Sequence, residues 1–173
     1  KLDEMLDDAS SERLTGIVYW ITLIYGAFGI LVAMNQAFSW DPMGFVLVDN
    51  SFYYLLIAIF LPISFLVFPA RKADQFKVPF YDWILFAVTL VSAMYMAYHG
   101  IDMVEQGWDL VAPDEPTLVA AMICFLSLEA VRRAGGFALF VIVAMFFLFP
   151  LWTEMAPGFL WGVPKDPFEL VRS

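Results

Sequence analysis

Five stretches of the chain carry no Asp, Glu, Lys or Arg: residues 14–40, 52–70, 83–101, 117–128 and 134–153. A bilayer's hydrocarbon core is about 30 Å thick, which takes roughly 20 apolar residues of helix to cross. The first stretch is long enough to cross with tilt to spare. Within it Gly29, Ala33 and Ala37 recur every four residues, as do Thr22 and Gly26. Small residues at that spacing share one helix face, where another helix can approach closely. The second stretch contains Pro62, which predicts a kink.

The last two stretches pose a choice. One helix over 117–152 would be about 54 Å long. It would carry Arg132 and Arg133 near the middle of the hydrocarbon, at several kcal/mol each. A break at Ala134, Gly135 and Gly136 costs less, because glycine tolerates turn conformations. The two arginines then lie at the membrane surface, their stems along apolar surroundings and their heads in water. The pattern thus predicts an all-α integral membrane protein, a bundle of five transmembrane helices.

Basic residues orient it. The loop after the second stretch holds Arg71, Lys72 and Lys77, and the end of the fourth holds Arg132 and Arg133. The loops after the first and third hold no Lys or Arg. Basic loops stay in the cytoplasm, so the N-terminus is expected inside and the C-terminal end outside. Trp40, Tyr53, Tyr54 and Trp152 fall at outer span ends, and Tyr81 and Trp83 at an inner one, where aromatic rings anchor helices.

Two segments read as lying on the membrane. In residues 1–13, Leu2, Met5, Leu6 and Ala9 share a helical face away from Asp3, Asp7 and Asp8, and Ser10 or Ser11 suits a cap for the next helix. In the outer loop Ile101, Val104, Trp108 and Val111 lie within about 80° of one another on a helical wheel. Asp102, Glu105 and Asp109 fall on another side. An amphipathic helix over 101–111 is therefore expected on the outer leaflet. Asp114, Glu115 and Pro116 suit the start of the next span.

Composition narrows the function. Of 173 residues, 62% are hydrophobic and 16% charged, against roughly half and a quarter in soluble domains. A net charge of −9 opposes a nucleic-acid role, which needs clustered cations. Cys124 is the single cysteine and reads as an inert buried thiol. The acidic opening lacks the features of a secretory signal.

Few residues promise chemistry. His99 stands alone, whereas a bis-histidine haem needs two and zinc needs several clustered ligands; it reads as an interfacial hydrogen-bonding group. Glu129 followed by Arg132 and Arg133 is the favourable order for helical ion pairs. The trio reads as a neutralised helix end, with a partner helix or lipid headgroup as the sharper alternative. Asp82 falls in the first turn of the third span, where a carboxylate complements the helix dipole. Arg71 and Lys72 set topology. The methionines form no copper cluster. No charge lies deep in a span, no paired Gly/Pro-broken spans mark a midplane site, and no phosphate-binding loop is present. The chain reads as a scaffold with no catalytic, cofactor or metal residues of its own.

The motifs FPARK at 68–72, VPFYDW at 78–83 and LEAVRR at 128–133, followed by a small-residue break and an aromatic span, resemble a known family. They are similar to the small membrane component of tripartite ATP-independent periplasmic (TRAP) transporters. More specifically, they resemble the N-terminal part of the fused membrane proteins that work with TAXI-type binding proteins. The resemblance covers residues 52–173 and rests on short motifs whose order and spacing agree. It implies a sodium-driven secondary importer of the bacterial inner membrane, fed by a soluble periplasmic binding protein. Sodium and substrate would be held by the large, elevator-type component, which the small one braces while helping to dock the binding protein.

In these terms residues 1–13 are a cytoplasmic amphipathic segment and 14–133 a four-helix small-subunit-like domain. Residues 134–173 are then a connector helix and the start of the large component, and the chain is expected to be a portion of a longer polypeptide. Asp102, Glu105 and Asp109 would face the binding protein, with a plain solvated face as the alternative. Two rivals stand beside this: the membrane anchor of a respiratory oxidoreductase, against which the single histidine counts for haem, and a structural membrane protein without transport partners.

Overall fold

A computed structural model describes residues 15–38, 47–74, 76–108, 111–155, 157–158 and 161–172. The opening segment 1–13, Trp40 and Asp109 lie outside the described residues. Every regular element among those described is helical. Four helices are long and apolar enough to cross a membrane. The chain divides into two compact units, residues 1–100 and 101–173.

The first unit holds α1 (Ile17–Phe38), α2 (Asp49–Val67), a 3₁₀ turn (Lys72–Asp74) and α3 (Phe80–Tyr98). The second and third helices each start three residues before the uncharged stretch that announces them. A helix's first turn exposes unpaired N–H groups and favours acids, so Asp49 and Asp82 belong to first turns rather than to loops.

Packing is tightest between α2 and α3. Ala58, Ile59, Ile63, Phe65 and Leu66 of α2 are buried, as are Thr89, Ser92, Ala93 and Met96 of α3. The two mid-span hydroxyls are satisfied locally: Thr89 Oγ1 donates to Leu85 O at 2.7 Å and Ser92 Oγ to Val88 O at 2.7 Å. Polar groups thus enter an apolar interface without an unpaired donor. The helix runs on through the buried Pro62 to Val67.

Gly100, just past α3, lies against Ser51 in the first turn of α2, so the two helices run antiparallel. A Cβ on Gly100 would meet the Ser51 hydroxyl, and would lie 2.6 Å from its backbone N and 2.8 Å from its Cα. Backbone cannot yield as a flexible side chain can. Gly100→Ala is therefore expected to destabilise the protein by roughly 2 kcal/mol, the scale of an overpacked contact, with Gly26→Ala, which meets open space, as the neutral control in thermal melts.

The first helix is held more loosely. Of its residues only Val18 and Gly29 are buried. A Cβ on Gly29 would lie 2.5 Å from Phe60 Cζ and 2.9 Å from Ile59 Cγ2, so the close approach to α2 occurs there. Of the small-residue face expected from Gly29, Ala33 and Ala37, Gly29 is buried, Ala33 half-buried and Ala37 exposed. The rings of Tyr25 and Phe86 meet edge-on at 5.8 Å. Ile17, Trp20, Ile24, Ile30 and Leu31 stay exposed. An apolar surface of this extent does not face water on a soluble monomer. With the hydropathy of the four long helices, it marks a membrane-embedded protein.

In the second unit the long helix α5 (Asp114–Leu148) continues into a 3₁₀ segment (Phe149–Met155), and a short α6 (Pro167–Arg172) packs back on both. The intervening α4 (Gly100–Gln106) starts at the last residue of the first unit and lies mostly in the second. Stretch 117–128 and most of 134–153 fall on α5 as two helical segments that meet at a kink, with no loop between them. The backbone of α5 leaves helical geometry at a single residue, Gly136, with φ 76° and ψ −179°. One glycine in a conformation closed to other residues re-aims the axis without using up a loop.

The outer segment differs from its expectation. The helix ends at Gln106 instead of spanning 101–111, because Gly107 adopts φ 64°. Trp108 N then donates to Met103 O at 3.1 Å, the six-to-one bond of a Schellman ending. Both Met103 and Trp108 are buried, and Trp108 Nε1 donates to Gln106 Oε1 at 3.0 Å. Trp108 thus leaves the face assigned to it, whereas Ile101, Val104 and Val111 are exposed.

Candidate functional site

The densest group of charges with described contacts lies on α5, one turn before Gly136. Residues 129, 132 and 133 fall on adjoining turns, so an acid at 129 meets bases three and four positions on. Arg132 grips Glu129 with two bonds: Nε to Oε2 at 2.7 Å and Nη2 to Oε1 at 2.7 Å. Arg133 Nε donates to the same Oε1 at 2.9 Å. One carboxylate thus ties down two guanidiniums, and the trio keeps a net positive charge.

The two arginines differ in setting. The Arg133 side chain is 2% exposed, that of Arg132 38% and that of Glu129 21%. The ion pair expected from the sequence forms, and it carries an asymmetry the sequence does not express. The covered Arg133 side chain bonds to Glu129, while that of Arg132 is more than a third exposed. Three N–H donors converge on the carboxylate, two on Oε1 and one on Oε2, and hold its plane against both guanidiniums.

The other residues singled out from the sequence are scattered. Arg71 is exposed in the loop after α2, and Lys72 opens the 3₁₀ turn. Asp82 stands in the first turn of α3, as expected, and is fully buried. Its backbone N donates to Pro79 O at 3.1 Å. Beside it Tyr81 donates its hydroxyl to Asp74 Oδ2, tying the loop to the helix start. Sequence reasoning passed over that bond, because nothing in the seven-residue spacing of two loop-edge polar groups announces it. Asp102 is half-buried and Glu105 exposed on α4. His99 closes α3, its backbone N donating to Tyr95 O at 3.2 Å and its ring 4.6 Å from that of Tyr95.

Among the described residues no three His, Cys, Asp or Glu side chains gather where they would hold a metal ion. A shallow, almost wholly apolar groove runs along α2, lined by Leu56, Ile57, Phe60, Leu61 and Ser64. What fold and charges define together is a class: an all-helical, membrane-embedded protein with an ion-paired turn beside a glycine break. No protein-family model, curated protein or solved structure matches the chain.

Proposed function

We propose that the chain is a non-catalytic scaffold component of a TRAP-type secondary uptake transporter, bracing a large elevator-type component and helping to dock a periplasmic binding protein of the TAXI type. The observation that carries this reading is the ordered series FPARK, VPFYDW and LEAVRR, with the ion-paired Glu129 turn set directly before the break at Gly136. A brace works through packing and docking, and its own chemistry is confined to fixing helices in register and orientation.

The same reading counts five crossings. From 114 to 135 the helix measures about 33 Å. Beyond Gly136, twelve α-helical residues span about 18 Å. The seven of the 3₁₀ segment, at a longer rise per residue, add about 14 Å, with one departure from helical angles at Trp152. Each arm matches a hydrocarbon core of about 30 Å. On this reading Glu129, Arg132 and Arg133 lie at the cytoplasmic surface and the aromatic arm crosses the bilayer as the connector.

Two measurements test the proposal. A tagged chain, co-expressed with a large TRAP component and its binding protein, is expected to copurify with the former. Reversing Asp102, Glu105 and Asp109 to lysine is expected to lower uptake roughly tenfold at limiting binding protein, and more at low salt, where steering charges act over longer range. Absence of copurification sinks the scaffold role. Uptake unchanged by the reversal removes the docking assignment while leaving the scaffold standing.

A further inference from the structure

After its long helix the chain does not run away from the molecule. Residues 162–165 lie back along 150–153 in an antiparallel register: Lys165 N donates to Pro150 O at 3.0 Å and Gly162 N to Thr153 O at 3.3 Å. The return ends at Asp166, where α6 begins. Asp166 N donates to Glu169 Oε2 at 3.4 Å and Leu170 N to Asp166 O at 2.9 Å. An acid-start helix with Glu three positions on is a capping-box arrangement, and Pro167 supplies the preformed first position. The turn of helix sets Leu170 inward, where it is buried, and α6 packs on α5 and the 3₁₀ segment.

This fold-back leaves an unusual surface. Trp161 is 64% exposed, Val163 81% and Phe168 67%, with Trp152 and Met155 beside them. Large apolar groups so placed have a strong preference to leave water, about 25 cal/mol for each Å² removed. Hydrocarbon is equally closed to the segment. Residues 161–166 form no regular element, and irregular backbone is not found exposed among lipid tails. Glu154, Lys165 and Asp166 are charged as well. One environment satisfies both demands: the headgroup–acyl boundary, wet enough for backbone and charges and apolar enough for indole and phenyl rings.

We infer that residues 161–172 form an interfacial anchor whose Trp161, Val163 and Phe168 insert into the phospholipid headgroup–acyl boundary at the end of the 3₁₀ segment. The hairpin is continuous with a helix apolar enough to cross the membrane, so the lipid surface is its immediate neighbour. Lys165, at the base of the hairpin, supplies a cation for headgroup phosphate. The anchor does not depend on a transport role. It limits how far the end of the long helix can tilt or slide, because moving either way would drag rings into water or backbone into hydrocarbon.

The test uses the protein reconstituted in phosphatidylcholine vesicles. With Cys124→Ser, the chain's only cysteine is removed, and Val163→Cys is labelled with an environment-sensitive dye. Quenching is compared for lipids carrying a nitroxide high on the acyl chain, lipids carrying it at the bilayer centre, and aqueous iodide. The expected result is roughly threefold stronger quenching by the shallow than by the deep nitroxide, consistent with burial of about 5–10 Å, and weak quenching by iodide. Iodide quenching as strong as for free dye would put the segment in water and overturn the inference. So would protection from both lipid and iodide, which would mean protein covers it, or stronger quenching from the bilayer centre. Phe168→Cys supplies the same readout should the first variant fail to fold.

Discussion

Glu129→Gln is expected to lower the unfolding free energy by roughly 3 kcal/mol, the low end of the loss seen when a buried ion pair is deprived of one partner. The low end applies because Glu129 is partly exposed, whereas the Arg133 side chain is almost wholly covered. Removing the carboxylate takes an ion-pair partner from that covered cation, and weakening the compensation of a charge held away from water carries a desolvation penalty. Arg132→Gln provides the contrast. Its guanidinium is more than a third exposed, and exposed pairs contribute about 0–1 kcal/mol. Thermal or denaturant melts in detergent should therefore rank Glu129→Gln far above Arg132→Gln. Equal losses would mean that Arg133 does not rely on Glu129 and that the asymmetry has no energetic content.

The second large effect is at the break. Gly136→Val is expected to destabilise by about 3 kcal/mol, because φ 76° with ψ −179° lies in a region that is open to glycine and strained for residues with a Cβ, most of all β-branched ones. Space is not the obstacle, since a Cβ there meets nothing within 4 Å. The variant has one way to relieve the strain: regain helical angles and straighten α5. That would carry Arg132 and Arg133 toward the middle of a single long apolar rod. Loss of stability, together with changed accessibility of a cysteine placed at residue 137, would support a break required by the backbone. A Gly136→Val variant as stable as the parent would show that the break is not needed.

These two sites show how far local patterns reach. The three small residues at 134–136 marked a break because a rod through them would strand two arginines in hydrocarbon, a cost read from spacing alone. Which of the three bends was not legible; sequence does not distinguish Gly135 from Gly136, and only the backbone angles do. The Glu129 pairs were likewise evident from offsets of three and four, since helix geometry brings those side chains together whatever surrounds them. The unequal burial of the two arginines was not, because neighbours are decided by packing.

The outer segment shows the reverse failure. A helical wheel placed Trp108 with Ile101, Val104 and Val111, and the wheel holds only while the helix continues. Gly107 at φ 64° ends it, and Trp108 turns inward. A glycine inside an amphipathic run was the available signal. Asp82 is subtler: its place in a first turn followed from Pro79 and the start of an apolar run, yet its complete burial needed the packing of whole helices.

What the sequence determined by itself was the succession of membrane-length helices, the position of the charged turn and the need for a break, since hydrophobic length, i to i+4 offsets and glycine are local properties written residue by residue. What only the tertiary structure decided was which faces are covered. It set Gly29 against Phe60, Gly100 against Ser51, Leu170 inward and Trp161 outward. Close packing depends on the shape of surfaces brought together from distant parts of the chain, and in a chain apolar on nearly every helix face, hydrophobicity no longer tells inside from outside.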